Sequence, residues 1–136
     1  MRSPRGDQAA LIYDSPVTGT KRVYTYRELL DQTARFAGVL QGLGVAKGDR
    51  VALYLPNCPA QPTALFAVAR IGGTVVNLSP LDAERELAHK LGDSGARTLI
   101  STNIGPMAGV ALKIKAAGYV DRAIIADDAV WGPSPA

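Results

Sequence analysis

The sequence predicts an α/β protein: a parallel sheet with helices on both faces, preceded by an N-terminal β-hairpin. Three observations carry that prediction. Short runs that are apolar on both faces recur at Val51–Leu55, Thr74–Leu78, Arg97–Ser101 and Ala123–Ala126. Helical patterns fill the intervals between them, and alternation of this kind marks βαβ units whose strands are covered on both sides. Ahead of them, two β-rich runs flank a cluster of turn residues.

That first pair is Leu11–Tyr13 and Val23–Tyr26, separated by Asp14-Ser15-Pro16-Val17-Thr18-Gly19-Thr20. Pro, Gly and Asp favour turns for separate physical reasons, so a hairpin with a longish loop is expected. Thr25 precedes Glu28 by three residues, the capping-box spacing at a helix start. Leu29, Thr33, Phe36, Leu40 and Leu43 then recur at helical intervals and define one apolar face. Gly44 stands where a left-handed residue closes a helix, and Gly48-Asp49 supplies the turn into the strand Val51–Leu55. Pro56 to Pro59 stop that strand. Thr63–Ile71 reads as a helix without a polar face, which should therefore be buried. Gly72-Gly73 ends it and should be intolerant of bulk, the more so if Gly73 adopts a positive φ, and Thr74–Leu78 follows. Asp82 is placed to cap the next helix, with Glu84 and Glu86 near its positive end and Lys90 near its negative end. Met107, Val110, Ala111 and Ile114 mark a last helix, closed by Gly118, before Ala123–Ala126.

A length of 136 residues suits one domain with one real core, here spanning 1–136, with Met1–Gly6 and Gly132–Ala136 as loose termini. Apolar residues make up 47% and charged residues 20%, a balance that excludes disorder. The net charge of +3 comes from scattered residues, not the clustered Lys and Arg that a nucleic-acid surface needs. Cys58 is the only cysteine, so an internal disulfide and a cysteine-based metal site are both excluded. The N-terminus has no signal-peptide pattern, and the uncharged run Val51–Ala69 is broken by Pro56, Pro59 and Pro62, so no membrane span is expected. The expected location is the cytoplasm.

Candidate chemistry is sparse. Gly42-Leu43-Gly44 precedes a strand and has the wrong context for a dinucleotide loop; Thr18-Gly19-Thr20-Lys21 lies between two β runs and not between strand and helix. His89 is the sole histidine and lacks a second ligand for a metal, while Cys58 shows no base or positive neighbour that would make it a nucleophile. Loops at the carboxyl ends of parallel strands are where α/β sheets bind ligands, which flags Asn57, Ser79, Ser101, Thr102, Asn103 and the pair Asp127-Asp128. The same residue types also serve turns and caps.

The order of local motifs resembles the N-terminal part of the adenylate-forming acyl-CoA synthetases, also called AMP-binding enzymes. Thr25-Tyr26-Arg27-Glu28-Leu29 is similar to the motif opening that family's first helix. Gly44-Val45, Lys47-Gly48-Asp49-Arg50-Val51 and Arg70-Ile71-Gly72-Gly73-Thr74-Val75-Val76-Asn77 with Pro80 match two further segments. Asn77, Pro80-Leu81, Arg85-Glu86-Leu87 and Asp93-Ser94-Gly95-Ala96 resemble most closely the long-chain fatty-acid–CoA ligases, although Asp82-Ala83 stands where that branch commonly has Tyr-Thr.

The resemblance implies a parent ligase that uses ATP, Mg2+ and CoA to activate a carboxylic acid and pass the acyl group to a thiol. It also implies that residues 1–136 are the N-terminal portion of the large domain of such an enzyme. The family's phosphate loop, nucleotide-binding motifs and C-terminal lysine have no counterpart here. No residue is therefore assigned a catalytic, cofactor-binding or metal role, and no cofactor is expected for this chain alone. The expectation is an inactive N-terminal fragment of a fatty-acid–CoA ligase, able to self-associate through a face that the remainder would cover. The alternatives are a stand-alone α/β binding or assembly module without catalysis, and an unrelated nucleotide-binding domain.

Overall fold

The computed structural model describes residues 9–14, 21–56 and 58–126. The two terminal segments, the hairpin loop, Asn57, Asp127 and Asp128 lie outside the described residues. The order of elements is β1 (Ala9–Asp14), β2 (Lys21–Thr25), α1 (Tyr26–Gly42), β3 (Arg50–Tyr54), α2 (Ala60–Arg70), β4 (Thr74–Leu78), α3 (Glu84–Ser94), β5 (Thr98–Thr102), α4 (Met107–Ala116) and β6 (Arg122–Ala126).

β1 and β2 pair antiparallel in a sheet of their own, with Ile12 opposite Val23 and an irregularity between Ala9 and Leu11. The other four strands form a parallel sheet in the order β4-β3-β5-β6. β3 sits centrally because its residues are apolar in both phases of the pleat. Val51 and Leu53 face a core shared with Phe36, Ala37 and Leu40 of α1 and Ala64, Ala67 and Val68 of α2. Ala52 and Tyr54 face the opposite core, with Leu87 and Leu91 of α3 and Ala111 and Ile114 of α4. Helices thus cover both faces. Each fully buried Leu or Ile in these layers stabilises the fold by about 1.5–3 kcal/mol relative to exposure.

The helix termini explain several boundaries. Thr25 Oγ1 accepts the Glu28 amide at 3.2 Å while Glu28 Oε1 accepts the Thr25 amide at 2.9 Å, which completes the capping box. At the other end of α1, Val45 N–H donates to Leu40 and Gly44 N–H to Gln41, each at 3.0 Å, with Gly44 at φ +95. This is a Schellman closure, and its geometry carries Val45 into the core. Leu43, expected on the buried face, is instead 47% exposed, because the helix has already ended.

Other expectations are corrected in detail. α2 starts at Ala60, three residues earlier than expected; Pro62 is tolerated because first-turn amides need no helical acceptor. Nor is α2 buried all round: its small residues face inward and Phe66 is 59% exposed. Positive φ falls on Gly72 (+80) and not on Gly73. Gly73 is needed for space, since a Cβ there would lie 2.9 Å from Val68 Cγ1 and 3.1 Å from the Asp49 carbonyl oxygen. β4 is an edge strand among the described residues, so Thr74 and Asn77 are exposed and it is not covered like β3. The N-cap of α3 is Ala83, which offers no side-chain acceptor; Asp82 lies one residue too early. Lys90 is not in the last turn of α3 and reaches back to Asp82 instead.

Candidate functional site: the carboxyl edge of the parallel sheet

The strand order places a topological switch point between β3 and β5: the chain goes from β3 outward to β4 on one side, then returns to build β5 and β6 on the other. Ligands of open α/β sheets settle in the crevice at such a point, beyond the carboxyl ends of the strands. The register sets out which residues meet there. Tyr54 pairs with Leu78, Leu53 with Ile100, and Ser101 with Ile125, so Leu78, Tyr54, Ser101 and Ile125 form one row across the sheet. Tyr54, Leu78 and Ile125 belong to the α3/α4 layer, and the alternation of the strand puts Ser101 on that same side.

Most polar groups at this edge are already spent on holding the edge together. Thr102 Oγ1 donates to the Ala126 carbonyl at 3.0 Å, and the Asn103 amide donates to the same oxygen at 3.3 Å. Ser79 Oγ accepts the Leu81 amide at 3.2 Å, and the Ser79 amide donates to Asp82 Oδ2 at 3.2 Å. Ser101 differs. Its hydroxyl is wholly buried and has no hydrogen-bond partner among the described residues, a state that costs about 1–3 kcal/mol of desolvation.

A charged cluster beside this row was not read from the sequence. Lys90 Nζ lies 2.5 Å from Asp82 Oδ2. The hydrogen bond from Lys90, assisted by the Ser79 amide, holds the Asp82 carboxyl below its ordinary value. Burial, and secondarily the Asp82 charge, push the Tyr54 phenol upward, so it stays neutral. The eight-residue spacing of Asp82 and Lys90 is the signal for it in the sequence, and it is obscured because Asp82 also suits a helix cap.

The remaining candidates separate from this edge or recede into the core. Cys58 is buried in the α1/α2 layer, a packing position. His89 lies on the exposed side of α3, where its Nε2 is 3.2 Å from Asp93 Oδ2. No group of three or more His, Cys, Asp or Glu among the described residues could hold a metal ion, and no helix there is long and apolar enough to cross a membrane. Among the described residues the edge offers buried hydroxyls and a braced turn, an arrangement that can hold a neutral group.

Comparison with known proteins decides the family. The family model described as AMP-binding enzyme matches residues 2–133. The chain belongs to the AMP-binding enzyme family. Among its relatives, the long-chain-fatty-acid–CoA ligase of Salmonella typhimurium is 52% identical over 79 residues, covering 57% of this chain and 14% of that protein. The acetyl-coenzyme A synthetase of Rubrobacter xylanophilus is 38% identical over 112 residues, covering 82% and 17%. The solved fatty acyl CoA synthetase of Mycobacterium tuberculosis superposes with a TM-score of 0.69 at 34% identity, over 84% of this chain and 23% of that one. The match spans 14–17% of the length of such curated relatives. This chain therefore shares the parallel α/β architecture of the family's N-terminal region.

Proposed function

We propose that this chain is the N-terminal portion of the large domain of an AMP-forming fatty-acid–CoA ligase, and that it does not catalyse by itself. The observation that carries the reading is the combination of a family match along nearly the whole chain with a span of only 14–17% of its relatives. The parent reaction joins a carboxylate to the α-phosphate of MgATP with loss of pyrophosphate; the CoA thiol then displaces AMP from the acyl-adenylate. Such chemistry needs positioned donors and a cation around the phosphates. At the carboxyl edge the described residues do not fit that role: Ser79 and Thr102 are engaged within the fold, and Lys90 is bound to Asp82. No step is therefore assigned to them.

A long-chain substrate is favoured by the 52% identity to the Salmonella ligase over 79 residues. The cytoplasm, where ATP and CoA are drawn, is the location that goes with it. The purified chain is expected to show no fatty-acid-dependent exchange of pyrophosphate into ATP and no acyl-CoA formation. Turnover by the chain alone would overturn the proposal. A second reading, a stand-alone binding module, is favoured by the unpartnered Ser101 hydroxyl beside the switch point. Immunoblotting of the host separates the two, since a stand-alone module runs only at the 14.3 kDa of this chain and a ligase several times higher.

A further inference from the structure

α3 and α4 share one face of the sheet but leave a groove of about 580 Å³ between the first half of α3 and the last turns of α4. Its floor is Ile114, a core residue of that layer. Its end is Tyr119, placed there by Gly118 at φ +86 and anchored by its backbone N–H, which donates to the Ile114 carbonyl at 3.3 Å. Its walls carry Arg85 from α3 and Lys113 from α4. Neither cation forms an ion pair or hydrogen bond with a described residue. The sequence gives them no helical partner: Leu81 and His89 lie four residues either side of Arg85, and Gly109 and Ala117 either side of Lys113. Asp82, three residues before Arg85, is taken by Lys90. Among the described residues Glu84 is the one carboxylate on the groove, and His89 is committed to Asp93.

We propose that this groove binds an organic anion, with its phosphate or carboxylate head between Arg85 and Lys113 and its apolar or aromatic body over Ile114 and Tyr119. The volume is that of a small-molecule site and far exceeds what a bare inorganic anion fills. Two cations outweigh the single Glu84 carboxylate, so an anionic head is favoured, and a guanidinium grips a planar or tetrahedral oxyanion in two-pronged fashion. The site lies between the helices that cover one face of the sheet, and its ligand does not depend on the ligase reading.

The test is a titration of the full chain, followed by amide NMR, with AMP, decanoate and inorganic phosphate. Saturable shifts at Arg85, Lys113 and Tyr119 are expected with AMP or decanoate, weakened at least tenfold in R85E/K113E and unchanged in K115E, an exposed charge reversal on α4 outside the groove. A response to AMP alone identifies a nucleotide-like ring against Tyr119; a response to decanoate alone identifies an alkyl chain over Ile114. The proposal is overturned if no probe saturates, if K115E weakens binding as much as R85E/K113E, or if phosphate binds as tightly as the organic anions.

Discussion

Thr25 closes the start of α1 with two reciprocal hydrogen bonds, so removing its hydroxyl leaves the Glu28 amide without its acceptor. Thr25→Ala is expected to lower unfolding free energy by about 1 kcal/mol in urea denaturation. Gly73 poses a different demand. Any side chain there meets Val68 and the Asp49 carbonyl, and that oxygen already accepts the Thr74 amide at 2.9 Å. Gly73→Val should therefore cost roughly 1–3 kcal/mol by overpacking, read as a lower melting temperature. An unchanged melting temperature would contradict the close approach. Gly72 is different again, since the atoms crowding it belong to the flexible Lys47 side chain and its constraint is the positive φ.

At the level of elements, the β4–α3 connection is held by Asp82, which accepts from Ser79 and Lys90. Its carboxyl titrates lower in the fold than in the unfolded chain, chiefly because Lys90 donates to it. The contribution is thus complete above the unfolded carboxylate value of about 3.9 and is lost as pH falls through the lower folded value. Acid unfolding of Asp82→Asn should show a shallower pH dependence below about pH 4 than the parent chain does. Equal slopes would show that the pair contributes nothing. Asp121, gripped by Arg97 Nε and the neighbouring guanidinium nitrogen at 3.1 and 2.6 Å, titrates in the same direction and sets the background.

On the scale of the whole molecule, several large apolar side chains stand out in solvent: Tyr26 and Leu30 on one side of α1, Phe66 on α2, and Leu81 at 93% exposure on the braced turn after β4. Such groups mark a contact surface where they are contiguous. The isolated chain should bind a hydrophobic dye and self-associate as its concentration rises, measured by fluorescence and sedimentation. A strictly monomeric, dye-negative chain would argue against a covered face.

The sequence by itself determined the parallel sheet, because Val51–Leu53 and Leu99–Ile100 have no polar phase to turn to solvent, and it determined the α1 cap, because a capping box is a local pattern. It also determined the family, through motifs whose order survives in the match to residues 2–133. It did not reveal that Leu43 yields its core place to Val45, since that depends on where the helix stops in space. The exposure of β4 was decided by strand order and that of Phe66 by the face of α2 that packs inward, neither of which a local window contains. Of the residues flagged at the carboxyl edge, tertiary structure assigned Thr102 and Ser79 to internal hydrogen bonds and left Ser101 without one. The groove between α3 and α4 joins Arg85 and Lys113 across 28 positions of sequence. Periodicity and capping act over a few residues and are legible in one dimension; a shared face is a property of packing, and only the fold brings its members together.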